Sequence, residues 1–484
     1  MLGNTNVKDG VALNASVTEM EVIGNAIVAG DFVEFTGNTT NEYVADINMN
    51  YATPFEINSG KAGIAFYNKG ATNIRFLVMS DCAVLNDVTV TLPEALCTSS
   101  KPFYDMYANF YNGKLYVHGA KKDAVQKNTS QNVFLYVFTF DNSTNSIAYE
   151  SKITLTLPND LSASSSSYAY YVDYRHFFVG NIIYVVQAVD ISSGSITGNL
   201  CINKFDLSGN LLTHRVFDTE YSAGIKATLE NNIDIDEEYA YIYSVSGSGS
   251  SATYRLYAYS SSDFSYNTRI AIFEYSRGSY GDPNIVIPCS IYVDDSKDIL
   301  AFATQISAFS TYSYLIRFVA KNENQIKTTV TIPATSAVSN YSSVVIKPFK
   351  TVGTKVYLLV VIKCNNDGGT SLIATIEYDY VNYNARLIAS SMFTATSVSF
   401  GLNNHLPIIL LNEKVEMYFA GTYNNPTSSS AISKAYGVVG MINNDIYVPS
   451  ETIDLVKKYE NRIDGVAKQS GVAGDTIEVY VPTV

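Results

Sequence analysis

Four histidines, His118, His176, His214 and His405, are the residues of this sequence best suited to bind a metal or move a proton. None stands in the HxH or HExxH spacing that places two imidazoles on one ion, and each falls in a different segment. They read as strand or loop histidines satisfied by the fold. Acidic residues gather at Asp234-Ile-Asp-Glu-Glu238 and Asp294-Asp-Ser-Lys-Asp298. Calcium needs several convergent oxygens, but neither run has the EF-hand spacing or its glycine, and both read as solvated turns. Asn365-Asn-Asp-Gly-Gly369 and Gly247-Ser-Gly-Ser250 read as hairpin loops. No GxSxG elbow, phosphate loop or dinucleotide fingerprint occurs. A glycosidase needs two carboxylates roughly 5 to 10 Å apart across a cleft, and no sequence spacing places such a pair. Cys82, Cys97, Cys201, Cys289 and Cys364 lie in apolar runs without CxxC spacing and read as buried free thiols. No catalytic, cofactor-binding or metal-binding residue is assigned, and no cofactor is expected.

The elements around these residues are strands. With 38 Tyr, 23 Phe, no Trp and 47% hydrophobic residues in 484, the composition suits pleated, half-buried surfaces. The net charge of −13 and the lack of a basic stripe argue against nucleic-acid partners. The first ten residues lack the pattern of a secretory signal, and no apolar stretch is long enough to span a bilayer, so a soluble protein without membrane insertion is expected.

A recurring unit organises the middle of the chain: strand, polar loop, second strand, turn, third strand, tight turn, fourth strand. The second strand repeats around Phe66, Tyr116, Tyr184, Tyr241, Phe302, Tyr357 and Tyr418, at gaps of 50, 68, 57, 61, 55 and 61 residues. Third strands align at 74–79, 133–140, 200–205, 254–259, 314–319, 372–378 and 436–442. Asp141-Asn-Ser-Thr-Asn145, Asp206-Leu-Ser-Gly-Asn210 and Lys321-Asn-Glu-Asn324 supply the turns into the fourth strands. Those strands end near Pro93, Pro158 and Pro333. A four-stranded sheet cannot bury both faces alone, whereas radial repetition covers them. The fold expected is therefore all-β: a seven-bladed β-propeller of four-stranded antiparallel blades over 43–448. A string of β-sandwiches, the competing reading, needs about seven strands per 100 residues.

The chain ends resemble each other. Asp9-Gly-Val-Ala12 recurs as Asp464-Gly-Val-Ala467, and Ala29-Gly-Asp-Phe-Val-Glu34 recurs as Ala473-Gly-Asp-Thr-Ile-Glu478. Residues 1–42 and 449–484 are expected to form the two halves of one small split β-domain, because a closed ring brings its ends together. Ser450 to Ile463 carries Ile453, Val456, Tyr459 and Ile463 at the spacing of a short helix.

These terminal motifs resemble the small β-domains of tailed-bacteriophage virion proteins, in particular capsid decoration proteins with an AGD-type strand and a GVA…AGD segment. The resemblance covers about 60 to 70 residues and leaves the propeller as an insertion. It implies a virion-attachment role for Ala29, Gly30, Asp31, Val33, Gly465, Val466, Ala467, Gly474, Asp475 and Ile477. It further implies a non-enzymatic structural protein on the virion surface, made in the host cytoplasm, as a capsid decoration, head fibre, tail fibre or baseplate component. The partners implied are other virion proteins and a host-surface glycan or protein, with homo-oligomers in the particle. The Tyr/Ser clusters at 165–171 and 310–315 suit such recognition. A cellular adhesin or scaffold and a glycan-active enzyme on a propeller are the alternative functions.

Overall fold

The computed structural model describes residues 15–21, 32–33, 40–47, 51–57, 60–68, 70–80, 83–96, 103–121, 123–125, 131–158, 170–191, 199–217, 233–246, 253–265, 270–276, 284–308, 311–334, 343–363, 370–394, 408–411, 415–424, 434–443, 465–467 and 476–482. The helix expected over 450–463 lies outside them. The chain divides into two compact units, one made of 1–39 with 443–484 and the other of 40–442.

Strands β1 (Ala15–Glu21), β2 (Phe32–Val33) and β3 (Thr40–Ile47) all pair with strands from the far end of the chain. Sheet A follows as β4 (Tyr51–Ile57), β5 (Lys61–Tyr67), β6 (Asn73–Ser80) and β7 (Ala83–Thr91). Sheet B holds β8 (Phe103–Tyr111), β9 (Lys114–Lys121), β11 (Gln131–Asp141) and β12 (Ser146–Leu157), with β10 (Asp123–Val125) between β9 and β11 in the chain. Sheet C holds β13 (Tyr170–Val179), β14 (Ile182–Ile191), β15 (Asn199–Asp206) and β16 (Leu211–Phe217), and takes β10 as a fifth strand beside β13.

Sheet D is β17 (Ile233–Ile235), β18 (Tyr239–Ser246), β19 (Thr253–Ser260) and β20 (Ile270–Ser276). Sheet E is β21 (Asn284–Asp294), β22 (Ile299–Ala308), β23 (Thr311–Ala320) and β24 (Gln325–Ala334). Sheet F is β25 (Ser343–Val352), β26 (Lys355–Lys363), β27 (Thr370–Asp379) and β28 (Asn384–Thr394). Sheet G is β29 (Ile408–Leu411), β30 (Val415–Asn424) and β31 (Lys434–Asn443), completed by β3. The unit boundary thus falls before Thr40 rather than after residue 42, because β3 pairs with β31.

Each of sheets A to F is an antiparallel meander, and burial follows strand position. The second strand of sheet A is buried on both faces from Ala62 to Tyr67, whereas its fourth, β7, alternates exposed and half-buried residues. A strand covered on both faces and an edge strand at the rim is what stacking of successive sheets produces. One apolar cluster fills each described seam. Phe76 of sheet A packs against Phe138 of sheet B with ring centroids 5.1 Å apart. Leu135 and Leu155 of B meet Tyr174 and Phe205 of C, and Phe217 of C meets Tyr259 of D at 4.9 Å. Phe273 of D faces Phe302 of E at 5.7 Å, and Phe318 of E stacks on Tyr378 of F at 4.1 Å. The repeat aromatics Phe66, Tyr116, Tyr184, Tyr241, Phe302 and Tyr357 are all buried.

The sheets converge on their first strands: β4 touches β8, β8 touches β13, β17 touches β21, β21 touches β25, and β29 touches β4. Glu56 on β4 and Lys347 on β25 form an ion pair across 291 residues of sequence. Successive meanders stacked face to face with their first strands together form a β-propeller type of array.

A second device repeats at the seams. The turn between third and fourth strands reaches back to the preceding sheet. In sheet B it accepts from Lys61 of sheet A through Asn142 and Asn145, at 2.7 and 2.5 Å. In sheet D it accepts from Lys204 of sheet C at Ser261 O, 3.1 Å, and Phe264 packs on Tyr184. In sheet E, Lys321 pairs with Asp236 of sheet D. The turns themselves form as expected, with left-handed φ at Asn145 (55°), Gly209 (90°) and Asn324 (52°). Asp141, Asp206 and Asp379 each accept from the backbone N–H two residues on, at 2.8, 2.9 and 3.1 Å. Pro333 departs from the expectation: it lies inside β24 opposite Ser313 rather than beyond its end. An edge strand tolerates it, since only one side of the strand must pair.

Candidate functional site

Two sequence-distant histidines are brought together. His118 on β9 of sheet B and His176 on β13 of sheet C meet across their seam with Nδ1 atoms 2.5 Å apart. Both are buried, at 1% and 0% exposure. The Nε2 of His118 lies 3.2 Å from the carbonyl oxygen of Tyr174, which can only accept, so this nitrogen carries the hydrogen. Nδ1 of His118 is then an acceptor, and Nδ1 of His176 donates to it. That tautomer leaves Nε2 of His176 bare, and among the described residues it has no hydrogen-bond partner. Tyr107 of β8 lies over His118 at 5.7 Å, Phe178 meets His176 edge-on at 5.5 Å, and Asn109 Nδ2 donates to the His176 carbonyl at 2.9 Å.

Burial lowers His118 to about 4, only partly opposed by the Tyr174 carbonyl. His176 is held well below the ordinary value by burial, then by the charges of His118 and Arg175. The pair is sealed from solvent and cannot reach an external substrate. Both are strand histidines of different sheets, as expected, but the sequence reading did not bring them together. The available signal was position in the repeat: second strand of one unit and first strand of the next, which neighbour each other in the array. His214 lies on β16, and His405 lies outside the described residues.

The acidic run at 234–238 is also corrected. Asp236 is not a solvated turn residue but is 6% exposed, and Lys321 from the neighbouring sheet meets its Oδ2 at 2.9 Å with 5% exposure. Asp236 further accepts from the backbone N–H groups of Glu238 (2.7 Å) and Tyr239 (2.6 Å) and from Tyr241 Oη (2.9 Å). Every strong donor direction around this carboxylate is occupied, which makes it a seam bolt rather than a cation ligand. Asp294 accepts from Lys297 Nζ at 2.7 Å and Ser296 Oγ at 2.6 Å. Among the described residues, no group of three or more His, Cys, Asp and Glu is placed to hold a metal. Cys201 is a buried free thiol. The loops 247–250 and 365–369 and residues Cys82, Cys97 and Cys364 lie outside the described residues.

The terminal unit carries the residues singled out for attachment. Its four-stranded sheet runs β1, β33 (Thr476–Pro482), β32 (Gly465–Ala467), β2. Val33 pairs with Gly465, Phe32 with Val466, Val466 with Tyr480, and Ala467 with Val479. Ile477 lies opposite Met20 on β1. Val33, Gly465, Val466, Ala467 and Ile477 are thus brought into one antiparallel sheet by both chain ends. Ala29, Gly30, Asp31, Gly474 and Asp475 lie outside the described residues. Of the tyrosine clusters, Tyr314 is fully buried in the seam between sheets E and F and is no recognition residue. Residues 165–169 lie outside the described set.

No family model matches this chain, and no curated protein matches it. Solved structures similar to it include the core factor of S. cerevisiae, at 10% identity and TM-score 0.44 over 90% of this chain and 66% of that one. This chain therefore spans slightly under two thirds of that chain's length. The WD40 domain of SCAP from fission yeast is similar at 10% identity and TM-score 0.38, covering 96% and 98% of the two chains. The α-L-arabinofuranosidase Arb93A of Fusarium graminearum is similar at 8% identity and TM-score 0.35, covering 86% and 97%. These scores are low, and the fold rests on the sheet order and seam packing above.

Proposed function

We propose that this chain is a non-catalytic structural protein of a bacteriophage particle surface, in which a terminal attachment sheet carries a seven-bladed β-propeller as its payload. The observation that supports this reading is that both chain ends are strands of one sheet, so the whole array of sheets A to G is a single insertion between them. Pairing of β3 with β31 gives sheet G a strand from the start of the chain, which supports the reading of a closed ring. The resemblance of the terminal motifs to capsid decoration domains supports the virion setting. In this reading the terminal sheet binds other virion proteins, and the propeller meets a host-surface glycan or protein.

The test is immuno-electron microscopy of the producing lysate with antibody to residues 103–448. Label on heads or tails is the expected result, and particles that carry no label overturn the virion reading. Removing residues 464–484 deletes β32 and β33, the strands that join β1 and β2. The truncated chain is expected to stay out of the particle, and normal incorporation refutes the attachment assignment.

A further inference from the structure

We propose that the His118–His176 pair is a proton-sensitive latch, whose protonation loosens the seam between sheets B and C while the other described seams hold. The geometry carries the argument. Two of the four ring nitrogens hold the hydrogens that link Tyr174 O, His118 and His176 in a line. A third accepts, so the only vacancy for an added proton is Nε2 of His176, which is buried and has no partner among the described residues. A proton arriving there creates an imidazolium whose new N–H has no acceptor, inside a seam packed with Leu135, Leu155, Tyr174 and Val185.

The charged and titratable groups around the pair do not compensate it. Tyr107 faces it from β8, Tyr116 lies nearby on β9 through Phe178, and β13 contributes Tyr174 and the cation Arg175. Among the residues whose side chains the structure describes, no carboxylate acts on either ring. The other seams differ in kind: D to E is joined by the Asp236–Lys321 ion pair, and Glu377 binds Arg386 and Lys355 within sheet F. The cheapest response to protonation is separation of β9 from β13, which lets water reach both imidazoles.

The sign follows from linkage. The folded state binds the proton more weakly than the unfolded chain, so opening is suppressed above the ordinary histidine value of 6.5 and favoured as pH falls below it toward about 4. One proton taken up on opening, with the lowering to about 4 found at His118, raises the opening equilibrium by about 70-fold between pH 7.5 and 4.5.

Hydrogen exchange of the full chain, corrected for intrinsic rates, tests this. Amides of β9 and β13 are expected to lose protection by about this factor at pH 4.5, with amides of sheets E and F changing far less. Replacing both imidazoles, His118→Gln with His176→Gln, should abolish the difference. Uniform loss across all sheets, or an unchanged pH response in that double variant, overturns the proposal. Should that variant fail to fold, the imidazole signals of the unaltered protein decide it. Both rings titrating well below the ordinary value of 6.5 together with β9 and β13 exchange supports the latch, and titration near 6.5 with the seam still protected refutes it.

Discussion

Replacing Asp236 with Asn keeps the side chain's shape but strips the charge opposite Lys321. The ammonium, 5% exposed, would then lose its contact at 2.9 Å and face Glu238 at 3.7 Å, a carboxylate that is itself 69% exposed. Removing one member of a buried ion pair costs about 3 to 5 kcal/mol, because the stranded charge has no water to replace its partner. Lys321→Met should cost less. The Asp236 carboxylate then keeps three donors, the N–H groups of Glu238 and Tyr239 and the Tyr241 hydroxyl.

In Asp236→Asn/Lys321→Met both charges are gone, and the double variant should be more stable than the sum of the singles predicts, by roughly 1 to 3 kcal/mol of coupling. The assay is native-state hydrogen exchange of amides in the two turns that carry the pair: Asp236 N–H to Tyr239 O at 2.9 Å in sheet D and Glu323 N–H to Ala320 O at 3.1 Å in sheet E. A loss of 3 kcal/mol raises their opening by about 150-fold. Single variants that each cost under about 1 kcal/mol, or effects that add without coupling, would show that the pair is effectively solvated and the bolt argument wrong.

Gly209 adopts φ +90°, and a Cβ there would stand 2.7 Å from Thr154 O in sheet B. Gly209→Ala should therefore destabilise by roughly 1 to 3 kcal/mol more than Gly70→Ala, whose φ of +73° is similar but which has open space around it; urea melts compare the two. A Cβ on Gly63 would lie 2.1 Å from the Phe55 ring, so Gly63→Ala should cost about 1 to 3 kcal/mol, with Phe55→Leu recovering part of it in the double variant. Burial pushes the Glu377 carboxyl up, but hydrogen bonds from Arg386, Tyr357 and Lys355 outweigh it and hold the group below the ordinary range. Its stabilisation is present above the usual carboxylate value and lost as pH falls through the lowered one, so Glu377→Gln should flatten the acid limb of the stability profile.

Much of the array was legible because the signals are local. Period-two apolar alternation, an aromatic near the middle of each second strand and Asp, Asn or Gly at the third turn each act within a few residues, and the strands fall where these signals place them. Tyr116 and His118, however, sit on one strand with no local signal that His176 would face them; only their positions in successive repeats point to it. That neighbour is chosen by the stacking of sheet C on sheet B, a contact between segments about 60 residues apart. Asp236 failed for a similar reason. A turn rich in acids is solvated unless another sheet delivers a cation, and Lys321 arrives from the next repeat. Tyr314 looked like recognition chemistry because tyrosine abundance does not tell a core ring from an exposed one.

The pairing of the chain ends has a mechanical consequence. Ala15 lies opposite Pro482 and Glu21 opposite Thr476, so the strand ends nearest the two termini are side by side. Tension applied between the termini would peel β1 from β33 one rung at a time, and β3 from β31 next, starting at the Thr40–Met441 rung. The terminal sheet is therefore weak as a tether stretched end to end, because one rung carries the load at a time.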